Sequence, residues 1–500
     1  MTSPDALELI GAVLDEGSWV RWDEPVRARP ADTEYAAALD RARDRTGLDE
    51  AVVTGEGRVR GRRVAVAACE FGFLAGSIGV HAADRLVRAV ERATDERLPL
   101  LASPTSGGTR MQEGTVAFLQ MVKISAAIGR HKANGNPYLV YLRNPTTGGV
   151  LASWGSLGHV TVAEPGALIG FLGPRVYAAL YGAEFPAGVQ TAENLREHGL
   201  VDAVVAPDAI ADVLDRALNV LAAPLEGSPD VEDPADDPVP DRPAWDSVVR
   251  SRRPDRPGVR QLLRHAARDV VPLHGTGAGE TDAGLLLTLA RFGGAPCVVL
   301  GQDRSRQGPG TPLGPAGLRE ARRGMKLADE LKLPLLTVID TSGAALSKEA
   351  EEGGLAGEIA RSLADLVLLD APTVCLLLGE GAGGGALALL PADRVVCAQH
   401  GWLSPLPPEG ASAIIHRTTD RAAEMATVQG VRSLDLLRDG VVDRVVAEHP
   451  DAADEPGPFL DRLARVLEAE LTGLLRRDPR TRLAARLARY RRLGSAPGAP

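Results

Sequence analysis

The chain has 500 residues, 44% of them hydrophobic, which allows a sizeable core in two or more domains at ~150 residues each. Its 56 Lys and Arg against 66 Asp and Glu leave a formal net charge of −10, which argues against a general nucleic-acid binder. The N-terminus, MTSPDALELIGAVLDEG, has no basic region ahead of an apolar run, and no stretch of ~20 residues is apolar and uncharged; the expectation is a cytoplasmic protein with neither signal peptide nor membrane span.

In chain order, RRVAVAACEF predicts a strand, DRLVRAVERATDER an amphipathic helix and LPLLASP a strand. GTVAFLQMVKISAAIGRHKANG then predicts a helix and PYLVYLRN a strand. Residues 226–241, EGSPDVEDPADDPVPD, hold seven acids, four prolines and no base, the composition of an exposed linker. Beyond it, APCVVLGQD, LPLLTVID, TVCLLLGE and DRVVCAQ predict strands, with helices over GLREARRGMKLADELK and EIARSLADLV. The chain therefore divides into a domain over 1–225, a linker over 226–241 and a domain over 242–500. Strand and helix in alternation predict parallel α/β layers in both domains.

The halves carry a repeated signal. Thr105-Ser106-Gly107 follows a strand in the first half and Thr341-Ser342-Gly343 one in the second, 236 residues on (341 − 105). Gly148-Gly149 and Gly384-Gly385 share that offset (384 − 148 = 236). A duplication would place two small-residue turns side by side at neighbouring strand ends in each domain.

GEGAGGGALALL, Gly379 to Leu390, contains G-x-G-x-x-G after a strand and before an Ala/Leu run that predicts a helix. A dinucleotide site also needs an acid at the end of the next strand, and that strand ends in Gln399 and His400. No G-K-[ST] follows, which excludes a P-loop. The other use of bare glycines at a helix start is an oxyanion hole. Amides there have no intrahelical partner, the helix dipole favours negative charge, and the missing Cβ lets a substrate oxygen approach. Close packing of helix on sheet is the bland alternative; two pairs at equivalent points favour the functional one. No G-x-S-x-G, H-E-x-x-H or His–carboxylate cluster accompanies them, so substrate or cofactor must supply the base. His81, His131, His159 and His416 read as surface or core residues. Cys69, Cys297, Cys375 and Cys397 form no C-x-x-C and read as buried free thiols, with no zinc.

SGGTRMQEG (Ser106–Gly114), NPTTGGVLASWGSLG (Asn144–Gly158) and AEPGALIGFLGPRV (Ala163–Val176) resemble the beta subunit of bacterial acetyl-CoA carboxylase carboxyltransferase. IDTSGA (Ile339–Ala344), GEGAGGGALAL (Gly379–Leu389), PPEGASAI (Pro407–Ile414) and WDSVVRSRRPDRP (Trp245–Pro257) resemble its alpha subunit. The resemblance, to a beta–alpha fusion, implies tandem crotonase-like (ClpP/crotonase superfamily) α/β domains of ββα units. It implies carboxyl transfer from carboxybiotin, on a biotin carboxyl carrier protein served by a biotin carboxylase, to the α-carbon of an acyl-CoA. Acetyl-CoA giving malonyl-CoA is the leading expectation. In that family the N-half pair, here Gly148 and Gly149, stabilises the thioester enolate; the C-half pair, here Gly384 and Gly385, stabilises the biotin ureido oxygen. Ser106, Gly107, Gly108 and Arg110 are implied on the acyl-CoA side, and Ser342, Gly343 and Ala344 on the biotin side. A homo-oligomer, dimer or larger, is implied as well.

The sequence departs from that family in three places. The beta subunit's zinc ribbon is missing, G-H-Q-K-G becomes GQDRSRQG (Gly301–Gly308), and Ser342 stands for Pro in I-D-T-P-G-A. A malonyl-type thioester decarboxylase and a non-catalytic acyl-CoA-binding scaffold are the alternatives. The tail from Arg476 to Arg492, with eight arginines and one acid, reads as a solvated helix end, since Leu483, Leu487 and Leu493 recur as on one helix face, with RNA binding as the alternative.

Overall fold

The strand and helix patterns condense into two units in the computed structural model, which describes residues 4–26, 30–222, 231–308 and 312–494. One unit comprises Met1–Ala222 with Gly277–Gly279, the other Ala223–Thr276 with Glu280–Pro500. In the first, a seven-stranded sheet runs in the order Val20–Arg21, Val52–Val59, Arg62–Cys69, Leu100–Ser103, Tyr138–Leu142, Val160–Ala163, Ala203–Val204. In the second the order is Ala267–Leu273, Leu285–Phe292, Ala295–Gln302, Leu335–Thr341, Thr373–Ala382, Arg394–Ala398, Arg444–Val446. Trp402–Ser404 is added beside Thr373–Ala382. Both sheets are parallel from their third strand onward, but each opens on antiparallel strands. The alternation rule did not predict these, because a hairpin has no helix between its strands.

The helices Val80–Asp95 and Gly114–Ala133 pack on the first sheet, burying Leu86, Val90, Ile124 and Ile128 with Tyr138, Val140 and Trp154. In the second unit Phe459, Leu463, Leu467 and Leu471 of the helix Pro456–Leu475 close the core over Val299, Val338 and Leu376. All four cysteines are buried and free.

The duplication is present, with a register one residue shorter than the glycine spacing suggests. Ser106 bridges Thr146 in one unit and Thr341 pairs with Gly381 in the other, each 235 residues on (341 − 106, 381 − 146). The bridges Ile78–Thr109 and Leu313–Ala344 keep the same offset (313 − 78, 344 − 109). So do the helix starts at Val80 and Pro315. Positive φ follows suit, at Gly108 (110°) and Gly343 (136°), and at Gly148 (65°) and Gly383 (67°).

The C-terminal helix, Pro479–Arg492, inverts its expected orientation. Arg482 and Arg486 are its buried residues, while Leu487 and Leu493 are exposed. Arg486 donates to the carbonyls of Leu366, Leu369 and Ala371 and pairs with Asp393. Leu366 lies in the last turn of the helix Leu355–Val367, where carbonyls lack intrahelical donors, so the guanidinium ties the middle of the C-terminal helix to the end of that one. Residues 226–230 of the acidic stretch lie outside the described residues. From 231 to 241 it has no regular structure and is mostly exposed; Asp233 and Asp236 rest on Arg444, and Asp241 on Arg432. Among the described residues no helix is long and apolar enough to cross a membrane. Nor, among them, do three or more His, Cys, Asp or Glu converge on a point that could hold a metal ion.

Candidate active site: a loop and a glycine turn in each unit

In each unit the ends of two adjacent parallel strands carry the feature that the glycine pattern singles out. The ladder between them breaks at the same place. Leu100 pairs with Tyr138 and Leu335 with Thr373, both 38 residues on, while Ser106 meets Thr146 and Thr341 meets Gly381, both 40 on (138 − 100, 146 − 106, 373 − 335, 381 − 341). Two extra residues on the second strand bend it away, and the chain then turns into one helical turn. That turn is Gly148–Leu151 in the first unit and Gly383–Leu387 in the second. In GEGAGGGALALL the strand runs on to Ala382, so only Gly383–Leu387 is helical. Turns of four and five residues have little macrodipole; what they offer is the direction of their first amides.

In the first unit, loop 106–110 lies against the turn. An ideal Cβ on Gly108 would stand 3.5 Å from Gly148 Cα and 3.6 Å from Gly149 N, in van der Waals contact with the turn, and its φ of 110° favours glycine. The Ser106 hydroxyl is buried and donates to Gly76 O at 2.6 Å while accepting the Gly108 amide at 2.9 Å, so it shapes the loop. Gly107 is exposed, with its amide given to Ala75 O. The Gly148 amide donates to Phe171 O at 2.9 Å. Gly149, the second residue of the turn, is partly exposed, and an amide at that place has no intrahelical carbonyl to bond. Arg110 is turned inward: its guanidinium is 0% exposed, paired with Glu50 and donating to Ser77 O at 2.7 Å. Beside it Tyr35 donates to Glu113, whose carboxylate also accepts the Val80 amide at 2.6 Å. Burial and that carboxylate push the Tyr35 hydroxyl up to about 12. The charged residues of SGGTRMQEG thus lock the loop to the helices beneath it.

In the second unit, an ideal Cβ on Gly385 would come within 3.2 Å of Ala344 N and 3.5 Å of Gly343 C, the same apposition of turn and loop. Ser342 is exposed, Gly343 and Ala344 are half-buried, and the Gly343 amide donates to Thr341 Oγ1 at 3.2 Å. By the 235-residue register, Gly383 and Gly384 are the counterparts of Gly148 and Gly149. Gly383 and Gly384 are partly exposed; Gly385 is buried and stands where Val150 stands in the first unit. By this register the turn begins one residue before the expected pair, Gly384 and Gly385, and Gly383 stands where Gly148 stands. Three consecutive glycines admit more than one register; the Thr341–Gly381 pairing, the start of the helical turn at Gly383 and its positive φ select this one.

The surroundings differ between the units. Behind the second turn lie the buried carboxyls of Asp340 and Glu380, which burial pushes above the ordinary range against the pull of Arg304 and Arg252. Arg252 meets Glu380 at 3.3 Å and pairs with Glu409, joining WDSVVRSRRPDRP to the turn and to PPEGASAI. Arg256 pairs with Glu448 at 2.6 Å, both buried; burial alone would raise Glu448, but Arg256 holds it below the usual carboxylate range. Of the histidines, His131 and His159 are buried in the first unit; burial brings His131 down to about 4.

In each unit a helical turn that opens on glycine thus lies against a small-residue loop, an arrangement able to stabilise negative charge on an oxygen at the turn's first amides without a side-chain base. Residues 6–483 match the family model of the carboxyl transferase domain. The chain is 66% identical over 487 residues to a "probable biotin-dependent acyl-coenzyme A carboxylase beta3 subunit" of Mycobacterium tuberculosis, covering 97% of this chain and 98% of that one. It is 38% identical over 530 residues to the acetyl-coenzyme A carboxylase carboxyl transferase subunits beta/alpha of a Parafrankia species, covering 98% and 86%. Among solved structures, transcarboxylase 12S superposes with a TM-score of 0.73 at 21% identity over 95% of this chain and 91% of that one. The fold is the mixed α/β fold of the crotonase-like carboxyltransferases.

Proposed function

The chain belongs to the carboxyl transferase family, and from that premise we propose that it moves a carboxyl group from carboxybiotin on a separate carrier protein to the α-carbon of an acyl-CoA. The acceptor we propose is acetyl-CoA, giving malonyl-CoA. The observation that carries the reading is the repeated apposition of a loop and a glycine turn, one per unit, in a common register. Carboxyl transfer to a thioester develops charge on two oxygens, one in each reactant, and so calls for two such sites.

The division of labour follows the family resemblance of each half. In the first unit the Gly149 amide faces the thioester oxygen and stabilises it as the α-carbon is deprotonated. Gly148 and Gly108, having no Cβ, let that oxygen approach the main chain. Ser106 and Arg110 act from behind, holding the loop's shape. In the second unit Gly383 and Gly384 would hold the ureido oxygen of biotin; the turn fits such a group, because both glycines are partly exposed and Gly383 has a left-handed φ. Ser342, Gly343 and Ala344 line its edge. When bound, carboxybiotin supplies the carboxyl group and the base for the α-proton. The chain's own part is to orient the two reactants and to stabilise charge on their oxygens. A biotin carboxylase, its carrier protein, a homo-oligomeric assembly and a cytoplasmic setting complete the proposal.

The test is carboxyl transfer by the purified full chain with a biotinylated carrier, over acyl-CoAs of increasing length. CoA-dependent transfer that is fastest with acetyl-CoA supports the reading. Fastest transfer with a longer acyl group corrects the substrate, and no transfer to any acyl-CoA refutes it.

A further inference from the structure

The break in the ladder at the second turn leaves main-chain groups without strand partners, and two buried side chains take them up. The Asp340 amide donates to Gln302 Oε1 at 3.2 Å, and the Glu380 amide donates to Asp340 Oδ1 at 3.2 Å. Asp340 also lies under Gly379, where an ideal Cβ would collide with its carboxylate. The other end of the Gln302 amide reaches the turn itself, with Nε2 donating to Gly385 O at 2.7 Å. Gln302 is 0% exposed, so neither bond has water as a substitute.

The first unit has the same break and solves it differently. Thr105 stands where Asp340 stands and gives its amide to the Cys69 sulfur, which occupies the place of Gln302. A thiol is too short and too weak a donor to continue to the turn. Instead Val150 O, the counterpart of Gly385 O, accepts from the Ser153 amide and hydroxyl, both at 3.4 Å, from within the turn's own segment. The tie from the third strand to the turn's carbonyl is thus a device of the second unit, made by a residue in GQDRSRQG, where the chain departs from its relatives' G-H-Q-K-G.

We infer that Gln302 is a positioning residue for the second turn: by fixing the Gly385 carbonyl and the end of the strand Leu335–Thr341 with one side-chain amide, it aims the Gly384 amide. The inference rests on the proposed carboxyl transfer only for its effect on rate. Gln302→Met keeps the volume and removes both bonds. Because loss of one such donor lowers rates about 10²–10³-fold and misplacing it by ~1 Å about 10²-fold, kcat for transfer should fall ten- to a hundredfold. KM for the acyl-CoA, which the first unit binds, should stay within twofold. Independently of turnover, amide hydrogen exchange over 384–388 should quicken at least tenfold in Q302M, with exchange over 149–153 unchanged. Unaltered exchange over 384–388 overturns the inference even if the chain proves to transfer no carboxyl group. Quickened exchange with an unchanged kcat overturns the claim that this tie governs turnover.

Discussion

Gly148→Ala separates the chemistry of a glycine turn from its folding cost. Gly148 has φ 65°, and a non-glycine residue in that conformation costs about 1–2 kcal/mol. Its Cβ would stand 3.3 Å from Gly108 Cα and 3.5 Å from Gly107 O, so main chain, not a flexible side chain, must give way. The loop and the Gly149 amide then part by a few tenths of an ångström. Gly166→Ala is the control: φ is 70°, with nothing within 4 Å of its Cβ, so it carries the strain and none of the contact. At about 2–4 °C per kcal/mol for a unit of this size, both variants should lose about 2–8 °C in Tm. Only Gly148→Ala should lose activity, with kcat/KM for the acyl-CoA falling towards the about 10²–10³-fold of a lost oxyanion donor. Initial rates with a biotinylated carrier, alongside calorimetric melting, measure both quantities. Equal activity in the two variants, at equal Tm, would refute the oxyanion reading of this turn.

Three further outcomes follow from the same geometry. Gly383→Ala, at φ 67°, should lower kcat at least tenfold while leaving the calorimetric Kd for acyl-CoA within twofold; a larger change in Kd than in kcat would place the acyl-CoA at the second turn. Arg110→Met should destabilise the first unit in urea by about 3–5 kcal/mol, because Glu50 is left buried without its partner, and adding Glu50→Gln should recover part of that loss. His131, with Nε2 3.3 Å from Pro137 O and Nδ1 2.9 Å from the Thr94 hydroxyl, is held neutral by burial, its pKa down from 6.5 to about 4. Its folded pKa is depressed, so the stability tied to its neutral form is complete above pH 6.5. That stability falls as pH drops towards 4, by at most about 3 kcal/mol; His131→Asn should flatten the Tm–pH curve in that window.

Most of the layered framework is legible in the chain because its elements are long and periodic: LPLLTVID and DRLVRAVERATDER reveal their faces without help from distant residues. The antiparallel entry strands were not, since two glycines interrupt the apolar pattern of VVTGEGRV, which the ladder to Arg62–Cys69 makes a strand. The repeat was legible, but not its register. The spacing of T-S-G and G-G gave 236, whereas the backbone pairs Ser106 with Thr341 and Gly148 with Gly383, because conformation, not residue identity, distinguishes glycines in a row. Arg110 and the Arg482–Arg486 face misled for the opposite reason. Their partners, Glu50 and Asp393 with a set of helix-end carbonyls, come from elements far off in sequence, and composition carries no record of such pairings.

The duplicated backbone gives two like turns, and the proposed reaction asks them to serve different oxygens. The turns agree in φ and in apposition to their loops, so their donors cannot discriminate; the side chains behind them can. Behind the first lie Thr105, Cys69 and the Arg143 guanidinium, which donates to the Cys69 and Ser103 carbonyls and Ser103 Oγ. Behind the second lie two carboxyls, Asp340 and Glu380, with Arg252, Arg256 and Arg304 around them. Each set satisfies the same broken ladder, and satisfying it is what keeps the turn aimed. Charge placed there acts in a low-dielectric interior, where it is felt across several ångströms. With one of its two carboxyls removed by Asp340→Asn, the second turn should keep the Glu380 amide bonded through the asparagine oxygen, and with it the fold. It should nonetheless change the field at the Gly384 amide, so a shift in transfer rate at unchanged Tm would assign the field, and not the scaffold, to these buried acids.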